Sequence, residues 1–78
     1  MVRIDQTLDA RNLICPMPVI RTQQAVSELE NGQILEVLCT DPGALVDIPA
    51  WCRVHGHKLI SAKNVGDESI VRLQICDS

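Results

Sequence analysis

Aromatic side chains are almost missing from this chain. Trp51 stands alone, with no tyrosine and no phenylalanine, which leaves no stacking platform for single-stranded bases. Positive charge is scarce as well: seven Lys and Arg face ten Asp and Glu, for a net charge of −3. A nucleic-acid binder normally shows a basic patch, so direct contact with nucleic acid is not expected. No apolar run approaches the ~20 residues that span a bilayer, so no membrane segment is expected. The first residues, Met1-Val2-Arg3-Ile4-Asp5, lack the apolar core of a secretory leader. The expected compartment is the cytoplasm, where thiols stay reduced. The four cysteines, at 15, 39, 52 and 76, contain no C-x-x-C. That spacing does not support the usual structural zinc site, and a reducing compartment argues against a disulfide framework. No metal and no organic cofactor are expected.

Seventy-eight residues make one small domain, 1–78. A chain of this size buries only ~60% or slightly more of its unfolded surface. Its core is thin, and a surface site, or one shared with a partner, suits it better than a deep cavity.

The most informative stretch runs from Leu13 to Ile20, Leu-Ile-Cys-Pro-Met-Pro-Val-Ile. Proline has a fixed φ and no N–H, so it is tolerated in the first turn of a helix and disruptive deeper in. Pro16 reads as the first helical residue and Cys15 as its N-cap, with Pro18 two residues on. This places the sulfur at the positive end of a helix, where thiolate is favoured over thiol. The N–H groups of Met17 and Val19 remain available to it. The functional reading is an activated cysteine. The competing reading is a small buried apolar residue at a helix start.

The rest of the chain supplies a frame. Arg3 to Asp9 alternates, with Ile4, Gln6 and Leu8 on one face, and reads as a strand. Ala10 to Ile14 connects it to the cysteine, and Asn12 in this connection tolerates the left-handed conformation. Pro16 to Glu30 reads as a helix with Val19, Val26 and Leu29 at helical spacing, widened by Ile20 and Ala25. Asn31-Gly32 ends it. Ile34 to Cys39 is a nearly continuous apolar strand. A strand, a helix and a strand in this order imply parallel pairing through a right-handed crossover. The Cys15 turn and the Thr40-Asp41-Pro42 turn then share one sheet edge, where ligands and chemistry usually gather.

Asp41 reads as the N-cap of a second helix with Pro42 at its first position. Ala44, Leu45, Ile48, Cys52 and His55 follow at helical spacing. Pro49 should kink this helix or force a fresh start, and Gly56 should close it. Lys58 to Val65 and Ser69 to Cys76 read as two strands around Gly66-Asp67-Glu68, with Val71, Leu73 and Ile75 inward and Cys76 on the polar side. The order βαβαββ predicts an α/β (α+β) two-layer sandwich, a mixed four-stranded sheet with two helices on one face.

Leu8-Asp9-Ala10, Leu13, Cys15-Pro16-Met17-Pro18, Gly32, the Asp41-Pro42 turn and Asp47-Ile48-Pro49-Ala50-Trp51-Cys52 resemble the TusA (SirA-like) sulfur-carrier family. The likeness runs from about Leu8 to the C-terminus, and a Cys-Pro-x-Pro element after a first strand is specific to that family. It differs at one point. The family's Gly-Leu-x-Cys-Pro pattern has Asn12 here in place of the glycine. The resemblance implies the same βαβαββ sandwich and a sulfurtransferase in which Cys15 carries sulfur as a persulfide. Pro16, Pro18, Asn12 and Asp41 are expected to shape the site. Its implied partners are a cysteine desulfurase or rhodanese-like donor and a downstream acceptor protein, in tRNA thiolation, molybdenum-cofactor assembly or sulfur oxidation. A small relay protein of this kind is expected to be monomeric when free.

Other readings stay open at this point. A non-catalytic interaction or regulatory domain would hold Cys15 as a structural residue. An RNA-binding module is suggested by fold analogy alone, against the acidic balance. Asp9 and Asp41, at the proposed edge, would raise the pKa of Cys15 if they faced it. Arg11 and Arg21 could steer an acidic partner, although a solvated face suffices for both. Cys39 could resolve an oxidised Cys15, or be an ordinary buried cysteine. Cys52, His55 and His57 form a C-x₂-H-x-H cluster, but His57 lies past Gly56.

Overall fold

The computed structural model describes residues 3–76. Met1, Val2, Asp77 and Ser78 belong to the expected domain span, and the first two to the stretch read for a leader. They lie outside the described residues. The elements are β1 (Gln6–Ala10), α1 (Met17–Ser27), β2 (Ile34–Cys39), α2 (Ala44–His55), β3 (Lys58–Val65) and β4 (Glu68–Gln74). They form one sheet in the order β1-β2-β4-β3. The β1–β2 pair is parallel, with Ala10 opposite Cys39, and the other pairs are antiparallel. This is the βαβαββ sandwich expected from the pattern of the chain.

Strand alternation decides which side chains meet the helices. Leu35, Val37 and Cys39 of β2 and Val71 and Leu73 of β4 point inward and are fully buried, with Ile75 just beyond β4 close to it. Ala44, Ile48 and Cys52 of α2 and Ala25 of α1 close over them, flanked by Leu8, Leu13, Val19, Val26, Leu29, Leu45 and Trp51. Glu36 and Arg72 lie opposite each other on the outer side of the sheet, with their ion pair at 2.9 Å.

Several local expectations are corrected. β1 begins at Gln6 rather than Arg3. Asp5 ahead of it bonds through its N–H to the Ile34 carbonyl, and its carboxylate accepts from the Ile34 N–H. α1 starts at Met17 with Pro16 as the N-cap, not Cys15, and ends at Ser27. Leu29 still packs on the core from the following turn, which Gly32 completes at φ 90°. Ile20 is exposed, and Thr22 is buried in the inward stripe. Its hydroxyl donates to the Pro18 carbonyl at 2.8 Å, so a polar residue fits where the apolar pattern did not place one.

Asp41 does not cap α2. Gly43 holds that position, and no side chain caps it. The Asp41 carbonyl accepts from the Ala44 N–H at 3.1 Å instead. Pro49 neither breaks nor restarts α2, which is continuous from Ala44 to His55. The helix loses one N–H there, and buried Ile48 and Cys52 on either side anchor both halves to the sheet. β4 starts at Glu68, one residue earlier than expected, because Val65 pairs with Glu68 across a two-residue turn, Gly66-Asp67, and it ends at Gln74, two residues before the expected Cys76. Gly66 takes the positive φ that such a turn needs.

The inward cysteines couple stability to alkaline pH. Burial pushes the Cys39 and Cys52 thiols up to about 11, with Asp41 adding to the effect at Cys39. A folded-state pKa above the unfolded value near 9 stabilises the fold fully below pH 9. That contribution is lost as pH rises toward 11. Each thiol is expected to contribute on the order of 1–2 kcal/mol. Urea midpoints should fall across this window, and Cys39→Val should flatten the fall.

Candidate active site at the Cys15 turn

β1 ends at Ala10, and the chain turns through Arg11 and Asn12. Asn12 has φ 67°, the left-handed conformation, and its N–H donates to the Thr40 hydroxyl at 2.8 Å. This bond ties the first turn to the end of β2. Leu13 packs against the core and Pro18 is buried, while Ile14, Cys15 and Pro16 between them are exposed. The sulfur is thus displayed on a short span anchored at both ends. The Cys15–Pro16 peptide is cis.

The sulfur has a neighbour that sequence reasoning missed. Cys15 Sγ lies 3.7 Å from Asp47 Oδ2, donating to it from across the gap to α2. Asp41 approaches the same place. A Cβ built on Gly43 would sit 3.4 Å from Asp41 Oδ2 and 3.7 Å from Asp47 Oδ2, so the two carboxylates converge over this glycine. Asp47 stood in the resembling segment, but nothing in its spacing pointed at residue 15, which is 32 positions away.

The electrostatics run opposite to the helix-dipole expectation. The Cys15 thiol is raised above its ordinary value, first by desolvation, then by the charge and hydrogen bond of Asp47, then by Asp41. The helix terminus offers little to counter them. Pro16 and Pro18 carry no N–H, and the Met17 N–H is taken by the Ile14 carbonyl at 2.9 Å. Asp9 turns away from the sulfur to Arg11, at 2.9 Å, and this guanidinium holds its carboxyl down at about 2. Arg11 also reaches Glu68 at 3.6 Å, so its charge is balanced by two carboxylates. Arg21 is exposed on α1.

Of the other sulfur groups, Cys39 stands at the same sheet edge, opposite Ala10, but its side chain is in the core. Cys39 and Cys52 are buried and Cys76 is half-buried, all as free thiols. His55 and His57 flank the Trp51 ring, at 4.8 and 5.2 Å between centroids. His57 Nδ1 accepts from the Cys76 N–H at 3.1 Å. Among the described residues, no three His, Cys, Asp or Glu side chains are grouped to hold a metal ion. A concavity of about 380 Å³ is lined by Val26, Leu29, Glu30, Asn31, His57, Ile75 and Cys76. It lies at the end of the sheet where β2 begins, away from Cys15.

A display of this kind suits chemistry at one atom that another protein must reach. The family model for sulfurtransferase TusA matches residues 6–75, nearly the whole chain and all of this site. The chain belongs to the TusA family. The sulfur carrier protein TusA of Allochromatium vinosum is 38% identical over 66 residues, covering 85% of this chain and 87% of that one. YrkI of Bacillus subtilis is 50% identical over 66 residues, covering 85% of this chain and 88% of its own. The crystal structure of a SirA-like protein from Desulfitobacterium hafniense superposes with a TM-score of 0.80 over 92% of this chain and 99% of that one. At 24% identity that likeness speaks for the fold alone. Membership of the TusA family makes sulfur transfer the general activity. No helix among the described residues is long and apolar enough to cross a membrane.

Proposed function

We propose that Cys15 carries sulfur as a persulfide, taken from a cysteine desulfurase or rhodanese-like donor and passed to an acceptor protein. The observation that supports this most is the exposed Cys15 span, anchored by Leu13 and Pro18 at the sheet edge. Loading is an exchange without a net oxidant. The Cys15 thiolate attacks the outer sulfur of a donor persulfide. A new S–S bond forms on Cys15 as the donor's S–S bond breaks, and the donor thiolate leaves with the bond's electron pair and takes up a proton. Delivery repeats the step with Cys15 as the leaving thiolate. Asn12 shapes the turn, Pro16 and Pro18 stiffen the span, and Asp41 contributes charge beside it. The chain needs no metal or organic cofactor for this exchange. A free thiol of this type belongs in a reducing compartment, the cytoplasm. The receiving process is tRNA thiolation, molybdenum-cofactor assembly or sulfur oxidation.

The raised thiol and the exposed Ile14 favour a second reading, a docking domain with an unreactive Cys15. Intact-protein mass separates the two. After incubation with a cysteine desulfurase and cysteine, or a rhodanese and thiosulfate, the carrier reading expects a gain of one sulfur mapped to the Cys15 peptide. Dithiothreitol should remove it, whereas a sulfinic acid of nearly the same mass resists reduction. No gain from either donor, or a gain confined to Cys76, would overturn the carrier reading.

A further inference from the structure

A carrier that must accept a nucleophilic attack role would be expected to present its thiol near positive charge, and here the opposite surrounds it. The groups facing Cys15 are Asp47 from α2 and Asp41 from the β2–α2 turn. Asp9 and Arg11, from the end of β1, are engaged with each other. Ile14, which precedes Cys15 in the chain, is 76% exposed, and Val46, which precedes Asp47 in the first turn of α2, is 70% exposed. Cys15 and Asp47 are thus each preceded by an exposed apolar side chain, and the charge at the sulfur is negative. We propose that Asp47 is a positioning and specificity-determining residue for Cys15: it accepts the thiol's hydrogen bond in the free protein and selects sulfur donors that bring positive charge to the sulfur.

The proposal rests on the carrier reading and adds a condition to it. While Asp47 holds the S–H, the thiolate fraction is small and the sulfur is a poor nucleophile. A cationic side chain arriving beside a donor's persulfide would pair with Asp47 and Asp41, release the thiol proton to solvent and leave the thiolate facing the outer sulfur. An anionic donor would meet like charge at close range. After loading, the same carboxylates disfavour the persulfide anion once the partner withdraws, and a cationic acceptor would pair with them as the Cys15 thiolate leaves. Asp47 forms no bond to sulfur and supplies no electrons. It acts through the position and protonation of Cys15.

Two measurements test this, neither of which requires persulfide loading. The first is the pH profile of Cys15 alkylation by iodoacetamide, read on the Cys15 peptide so that Cys76 does not contribute. In Asp47→Asn the profile is expected to move to lower pH, with the rate at pH 7 rising about threefold or more. Asp41→Asn should move it less in the same direction, and Asp47→Glu should restore the wild-type side of the shift. The second is the rate of mixed-disulfide formation with small disulfides of different charge. In this step the Cys15 thiolate attacks one sulfur and the other leaves as a thiolate. At low salt the wild type should favour cationic cystamine over anionic dithiodipropionate by about tenfold. The preference should shrink severalfold in Asp47→Asn. It should also shrink in the wild type at high salt, a readout independent of whether a variant folds. Superimposed alkylation profiles, or a charge preference untouched by both the substitution and salt, would overturn the proposal. Failure of the carrier reading would look different: no sulfur gain from protein donors, with the Asp47 effects intact.

Discussion

Cys15→Ser is expected to lose sulfur loading completely. A serine hydroxyl has no accessible anion near neutral pH and forms no persulfide, so no residual exchange is available at that position. The remaining thiols do not substitute for it. Cys39 and Cys52 are buried, with their thiols pushed up to about 11, which leaves almost no thiolate at neutral pH. Cys76 is half-buried and follows β4 at the opposite end of the sheet. The loss should not be a folding effect. Cys15 is exposed and its polar contact among the described residues is the long bond to Asp47, so unfolding stability should change by only about 0.5 kcal/mol or less. The check is intact mass after exposure to a desulfurase or rhodanese, beside a thermal melt of the same sample. A serine variant that still gains sulfur places the cargo on another cysteine.

Ile48→Ala is expected to have the largest effect on stability. Ile48 has no exposed surface and is among the largest fully buried side chains. It projects from the middle of α2 onto the sheet. Removing its outer carbons leaves a cavity that a thin core cannot close, at a cost of about 3 kcal/mol. Alanine's better helix propensity offsets only a few tenths of that. A chain this short has roughly 4–12 kcal/mol in total, so the variant approaches the edge of folding. The melting temperature should fall by about 12–24 °C. Val54→Ala on the same helix is the control: at 79% exposure it should change little. An Ile48 variant that melts like the wild type would mean that α2 does not pack on the sheet as described.

Periodicity carried most of the fold because it reflects burial directly. The alternation of Val71, Leu73 and Ile75 and the apolar run of β2 each correspond to a buried face. Both ends of β3 and the closing role of Gly56 were legible for the same kind of reason, since a glycine at φ 77° marks where a helix must stop. Boundaries set by capping were less legible. Pro16, Pro18, Asp41 and Pro42 all have properties that suit helix starts, yet both helices begin one or two residues later than those residues suggest. Pro49 misled for a related reason. Its local cost is real, but tertiary packing on both sides holds the helix together.

The sequence by itself determined the architecture, the parallel β1–β2 pair and the identity of the displayed cysteine. These follow from apolar periodicity, turn residues and a compact motif, all of which act over short distances along the chain. Tertiary structure alone decided the chemical state of the sulfur. Asp9, six positions from Cys15 and a natural candidate to act on it, is drawn to Arg11. Asp47, remote in sequence, is brought to 3.7 Å by the packing of α2 on the sheet face beside α1. Electrostatic interactions fall off with distance in space, not along the chain, so the protonation of Cys15 became legible only when the helices were in place.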